Sequence, residues 1–297
     1  MSRSFRLSDS ALKSLHTCER MYQLDRLLAG PSHKEDWPAT VLGKAWGAGI
    51  AEYAVSKDFE KALYKLWLGY YPILEDERRT EAVCANLLRA ALPAMDLLLQ
   101  DWEVLTFQDK PAIELSFRLN IDENYYFVGY MDFAMRNKYT GKAGVFDAKT
   151  TGLNLTNLAP LYQNSPQLIG YSIVLDQIAG EDQSEYEVCY FSGKLGSGNG
   201  FTPEIKPYYF SKTLQDRLHW FISLGMDINH LKEMSSLNIY PMRGDSCLQY
   251  NKPCKHFGVC QLQSLDRMIE NEAPDLEKYQ FVYQLDAVIE DHIRRIS

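Results

Sequence analysis

The sequence contains no uninterrupted apolar run near the ~20 residues that cross a bilayer. Its opening, MSRSFRLSDSALKSLHTCER, has polar residues where a secretory leader carries its apolar stretch. A cytoplasmic protein of a bacterial, archaeal or phage-infected cell, without a membrane partner, is expected. A basic surplus is also missing: 31 Lys and Arg stand against 39 Asp and Glu, for a net charge of -8. That argues against nonspecific coating of nucleic acid, which draws on excess cations, but not against an enzyme whose carboxylates recruit divalent metal. The pattern G-x-x-x-x-G-K-S/T is absent, so these residues carry no ATP motor. Neither a glycine-rich phosphate loop nor a Ser-His-Asp set is found, which argues against a small-molecule enzyme. Nothing repeats, and only GSGNG at 196–200 is low in complexity, in keeping with a hairpin tip.

What is present is enough for a large core: 297 residues, 46% of them hydrophobic. Six cysteines in a reducing compartment favour metal over disulfides where they cluster. Cys84 and Cys189 sit among apolar neighbours and read as buried thiols, whereas Cys247, Cys254 and Cys260 share one short segment, CLQYNKPCKHFGVC. A tetrahedral zinc or an iron-sulfur cluster needs a fourth ligand. One candidate is His256, but it lies only two residues from Cys254, outside the usual zinc spacings. Three unmetallated thiols are the remaining alternative.

Pattern divides the chain into 1–30, an N-terminal helix carrying Cys18; 31–110, helical; 111–240, rich in strands; and 241–297, the cysteine segment with a C-terminal helix. Apolar spacing predicts helices over 8–29, 41–56, 59–69, 75–99, 158–178, 213–231 and 276–296. Alternation predicts strands in PAIELSFRLN, NYYFVGYMDFAMRN, AGVFDAKTT, EYEVCYFSGK and EIKPYYFSK, the first three antiparallel. The expected fold is α/β, a central mixed sheet flanked by helices.

Asp147 and Lys149 are two apart on one of these strands, so both side chains emerge on one face. A hairpin to the preceding strand brings Asp132 beside Asp147, and Glu114 begins the strand before that. Carboxylates of this kind suit Mg²⁺ or Mn²⁺, and a lysine among them can orient water or stabilise charge on phosphorus. Gln167 and Tyr171, four apart on a predicted helix, share a face and suit contact with a nucleic-acid strand, although Tyr171 equally suits the core.

Glu114, GYMD ending at Asp132, DAK at 147–149 followed by Thr-Thr, and Q-x-x-x-Y from Gln167 to Tyr171 together resemble the RecB-like branch of the PD-(D/E)xK nucleases. An iron-sulfur subgroup includes a CRISPR-associated exonuclease, the AddB nuclease domain and phage exonucleases. It holds a 4Fe-4S cluster with one cysteine before the nuclease core and three after it. The resemblance therefore assigns Cys18 as the fourth ligand, joining Cys247, Cys254 and Cys260, so that a restriction-endonuclease-like core is clasped between its terminal segments. It implies a metal-dependent DNA exonuclease acting on a free or single-stranded end, with Asp132, Asp147 and Glu114 on Mg²⁺ or Mn²⁺, Lys149 catalytic, and Gln167 and Tyr171 on DNA. A helicase, recombination or CRISPR-adaptation partner is expected. The alternative is a nucleic-acid-binding accessory protein with weak or partner-dependent activity. One position departs from the family: Gly47 stands where an early histidine ligand is usual, so Glu114, or less directly Glu52, takes its part.

Overall fold

The computed structural model describes residues 5–27, 38–70, 79–195, 202–249, 252–260 and 279–297. The 196–200 loop, the stretch from 75 to 78 and the predicted helix start at 276 lie outside them. Strands β1 (Phe5–Leu7), β2 (Trp102–Val104), β5 (Ile113–Asn120), β6 (Tyr125–Asn137), β7 (Ala143–Thr151), β8 (Glu185–Lys194), β9 (Glu204–Thr213) and β12 (Phe281–Gln284) form one mixed sheet. Minor hairpins pair β3 (Thr106–Phe107) with β4 (Lys110–Pro111), and β10 (Leu248–Gln249) with β11 (Lys252–Pro253). The main path runs β12-β5-β6-β7-β8-β9, with β1 and β2 both added to β6. β5, β6 and β7 are antiparallel as expected, while β7 and β8 are parallel and joined through helices.

Alternation along the strands builds two cores, one on each sheet face. On β7, Val145 joins the first and Phe146 the second. Helices α3 (Pro38–Ser56), α4 (Phe59–Tyr70) and α5 (Glu81–Asp101) cover the second face around Trp46, Phe133 and Phe191. By length and composition α5 is apolar enough to cross a membrane, contrary to the sequence reading, but here Leu88, Ala91 and Met95 are packed into that core. The first face is covered by α1 (Asp9–Thr17), α2 (Glu19–Tyr22), α6 (Ala159–Gln163), α7 (Pro166–Tyr171), α8 (Leu175–Ala179), α9 (Leu214–Leu237) and α10 (Leu285–Ile296). α9 starts at a capping box, in which Thr213 and Asp216 satisfy each other's backbone N–H, a feature that contributes about 1 kcal/mol.

Three helix expectations are corrected. The predicted 8–29 helix breaks at Cys18, which is extended (φ -167°, ψ 121°) and restarts the chain as α2. The predicted 158–178 helix is divided at Asn164 and Ser165, because Pro166 disfavours helical backbone at the residue before it. Within 276–296, residues 281–284 are strand β12, parallel to β5, and helix begins only at Leu285. Behind this layer Arg217, fully buried, donates to both carboxylate oxygens of Asp176 at 3.0 Å, and Arg295 of α10 donates to the same carboxylate at 2.9 Å. That buried network fixes α8, α9 and α10 on one another.

Candidate active site

The site lies where β6 and β7 part. Their ladder runs from Arg136 paired with Ala143 to Phe133 paired with Phe146, then stops. One residue beyond, Asp132 and Asp147 face each other, and the Asp132 carboxylate accepts the Ala148 backbone N–H at 2.8 Å, a side chain taking over where backbone pairing ends. Lys149 Nζ is 2.7 Å from Asp147 Oδ2, as expected for residues two apart on a strand. Gln167 Nε2 donates to Asp147 Oδ1 at 3.2 Å and to the Tyr171 hydroxyl at 3.4 Å. Tyr171 is buried, edge-on to Phe117, so its hydroxyl supports Gln167 from below. A 640 Å³ cleft between α3 and the sheet brings together Glu114, Asp132, Asp147, Lys149 and Gln167.

Glu114 lines this cleft near Asp132 with an exposed side chain and a left-handed backbone, φ 48°, within a strand. Such a conformation is strained for a residue with a Cβ and persists where surrounding structure enforces it. Glu52 does not line the cleft. Gly47 does: a Cβ built there would stand 3.8 Å from Asp132 Oδ2 and 3.8 Å from the Ala148 Cβ, in ordinary contact with both. Three further side chains, to which the sequence reading gave no role, line the cleft. Lys44 and Thr150 come from α3 and β7, and Tyr130 is held by Arg6, whose guanidinium donates to its hydroxyl at 2.8 Å. Alternation along GYMDF placed Tyr130 on the same face as Asp132 and was the available signal.

Burial, and then the neighbouring Asp147 carboxylate, push the Asp132 carboxyl up to about 7. Burial pushes Asp147 up as well, against the pull of Lys149. Burial works against the Lys149 ammonium, yet Asp147, Asp132 and Asp9 hold it above the ordinary lysine value. Two adjacent carboxylates, Asp147 buried and Asp132 half-buried, resist double ionisation unless a cation joins them. This hard-oxygen pair therefore fits a divalent ion, with Glu114 at the rim. Among the described residues no three His, Cys, Asp or Glu side chains stand close enough together to grip one as they are.

A consequence can be measured in protein stripped of divalent ions. An unfolded aspartate releases its proton near 3.8, but folded Asp132 keeps it to about 7. Between those values the folded chain binds more protons than the unfolded one, so this group's contribution to stability falls as pH rises through the window. Asp132→Asn mimics the protonated form. Its thermal midpoint should come closest to wild type at or below about pH 4 and exceed it by a margin that grows as pH rises to about 7.

The four cysteines of the sequence reading, Cys18, Cys247, Cys254 and Cys260, line one small 60 Å³ cavity with Met21 and Phe257. Burial and the other three thiols raise the Cys260 thiol. Polar contacts already hold the two chain segments together: Arg243 donates to Glu19, Arg20 to the Cys260 carbonyl at 3.2 Å, and Lys255 pairs with Asp25 at 2.5 Å. His256 turns its Nε2 to Asp25 at 2.8 Å.

Compared with known families, residues 6–261 match the model of the PD-(D/E)XK nuclease superfamily. Among solved structures, one from Eubacterium rectale described as a candidate exonuclease aligns with TM-score 0.49 at 12% identity, over 82% of this chain and 85% of that one. SSO0001 aligns with TM-score 0.29 at 13% identity, over 70% and 89% respectively. No curated protein matches this sequence.

Proposed function

Since this chain belongs to the PD-(D/E)XK nuclease superfamily, we propose that it is a metal-dependent deoxyribonuclease of the RecB-like iron-sulfur branch, hydrolysing phosphodiester bonds from a free or single-stranded end. The observation that carries this reading is the meeting of Asp132, Asp147 and Lys149 on one cleft, with the ammonium 2.7 Å from the Asp147 carboxylate. Mg²⁺ or Mn²⁺ would be held by Asp132 and Asp147, with Glu114 and the Ala148 carbonyl, and supplies a Lewis acid for the phosphate and a more acidic water. Lys149, kept charged by its carboxylate neighbours, stabilises negative charge growing on the phosphate oxygens. Gln167 fixes the inner face of Asp147 and lies beside the path a strand would take; Tyr171 acts on the strand through it.

End-labelled single-stranded DNA incubated with Mn²⁺ tests the proposal. Progressive shortening from one end, stopped by chelation, is expected; intact label with both Mn²⁺ and Mg²⁺ refutes it. Gly47 in place of a histidine supports a second reading, in which turnover is feeble until a helicase, recombination or adaptation partner is added. The same assay with and without a co-purified partner separates the two.

The 4Fe-4S cluster belongs to this proposal as well. Its support is the convergence of four thiols from both ends of the described chain on one cavity. The engagement of His256 with Asp25 disfavours the compact zinc alternative.

Glu114 combines strain with function. Glu114→Gly relieves a left-handed backbone but removes a metal-facing carboxylate. It should stabilise the metal-free protein by about 1 kcal/mol while lowering Mn²⁺-dependent turnover about tenfold or more. Paired melting and kinetic measurements read the opposite signs.

A further inference from the structure

A second cleft, 630 Å³, shares Lys149 and Gln167 with the first and opens on the other side of them, between α1, α6 and α9. Its volume is within the roughly 300–1,000 Å³ of small-ligand pockets. Its charges do not suit phosphate. Lys13 and His16 are matched by Asp9 and Asp227, and His16 is already within 3.0 Å of Asp227. Lys149, the remaining cation, already faces the Asp147 carboxylate at 2.7 Å, so the cleft holds no surplus of positive charge for a backbone oxygen. What the cleft offers instead is apolar surface and neutral hydrogen-bonding groups. Its inner wall holds Tyr162 stacked on Tyr190 with ring centroids 4.4 Å apart, beside Trp220. Leu161, 60% exposed, stands at the mouth, with Asn164 and Ser223 within the lining. Tyr162, Tyr190 and Trp220 are each 8% exposed or less and form an aromatic floor, and together with the exposed Leu161 and the amide and hydroxyl groups they give a lining that suits an unstacked nucleobase.

We propose that this second cleft is a nucleobase pocket, receiving the base next to the phosphate held at Asp132, Asp147 and Lys149. The inference rests on the nuclease reading and deepens it. A base can enter only if it has left its partner and its stack, so the substrate at the site is a single strand or a frayed end, whether or not a duplex lies beyond. Lys149 and Gln167, which belong to both clefts, form the threshold the backbone crosses.

The test uses the full chain, Mn²⁺ and labelled single-stranded oligonucleotides in which one abasic residue is walked past the cleaved bond. At one position adjoining that bond, loss of the base should lower kcat/KM about ten- to hundredfold, the worth of one stacked base. Ser223→Trp fills the cleft from an exposed position on α9. It should slow the intact strand by a similar factor and erase the abasic effect. If that variant melts early, Leu161→Arg on the opposite wall serves in its place. Equal rates wherever the abasic residue stands would overturn the pocket. If wild type cuts no strand at all, the nuclease reading falls, and the pocket is judged by binding. Fluorescence anisotropy must then show the same single-position loss in wild type and its disappearance in Ser223→Trp, and a flat profile refutes it.

Discussion

Lys149→Ala is expected to lower Mn²⁺-dependent DNA degradation by about 10²–10³-fold, the usual result of removing one group that stabilises transition-state charge. Two effects add. The variant loses the cation that would face the phosphate, and it leaves Asp147 buried with only the Gln167 amide against it. Without the ammonium, the two carboxylates take up a proton more readily but also repel Mn²⁺ less, so turnover should fall while Mn²⁺ affinity does not. Single-turnover kinetics at saturating Mn²⁺, with calorimetric titration of the metal, separates the two contributions. Turnover equal to wild type would remove Lys149 from the chemistry.

Cys18→Ser carries the second large effect. Anaerobically prepared wild type should be coloured and contain iron and acid-labile sulfide in equal amounts; the variant should contain neither. A link between Cys18 and Cys260 closes a loop of more than 200 residues, for which chain entropy gives at most about 5 kcal/mol of stabilisation. The Glu19–Arg243 and Asp25–Lys255 pairs hold the same segments without any metal, so the measured loss should lie below that ceiling. Zinc bound by Cys247, Cys254, His256 and Cys260 would survive the substitution. Metal analysis of both proteins therefore decides between cluster and zinc, and iron-free wild type would end the cluster proposal.

The acidic pair was legible because strand arithmetic is rigid. A period of two fixes the face of Asp147 and Lys149, and one hairpin fixes the register that sets Asp132 opposite. The central sheet followed from the same alternation. What escaped depended on contacts between residues distant in sequence. The helix through Cys18 carries no Gly or Pro at its break; the break is enforced by partners such as Pro241, whose carbonyl accepts the Arg20 N–H. Phe281, Val282 and Tyr283 are strand formers, but their helical reading could be displaced only by β5, over 160 residues earlier. Pro166 was a local signal that the apolar spacing outweighed. The left-handed backbone of Glu114 leaves no mark in sequence. The four-residue spacing of Gln167 and Tyr171 was read correctly as one face, yet spacing alone does not reveal that Tyr171 is covered by Phe117.

The sheet takes β1 from residues 5–7 and β12 from residues 281–284, laid beside β6 and β5 respectively. During synthesis the segment that becomes β12 is thus among the last of these residues to leave the ribosome. Until it emerges, the outer edge of β5 offers unpaired backbone groups, an invitation to mispairing with neighbouring nascent chains. A chain assembled this way completes its sheet only after residues 281–284 have been made, and copies terminated before them are left without that edge strand.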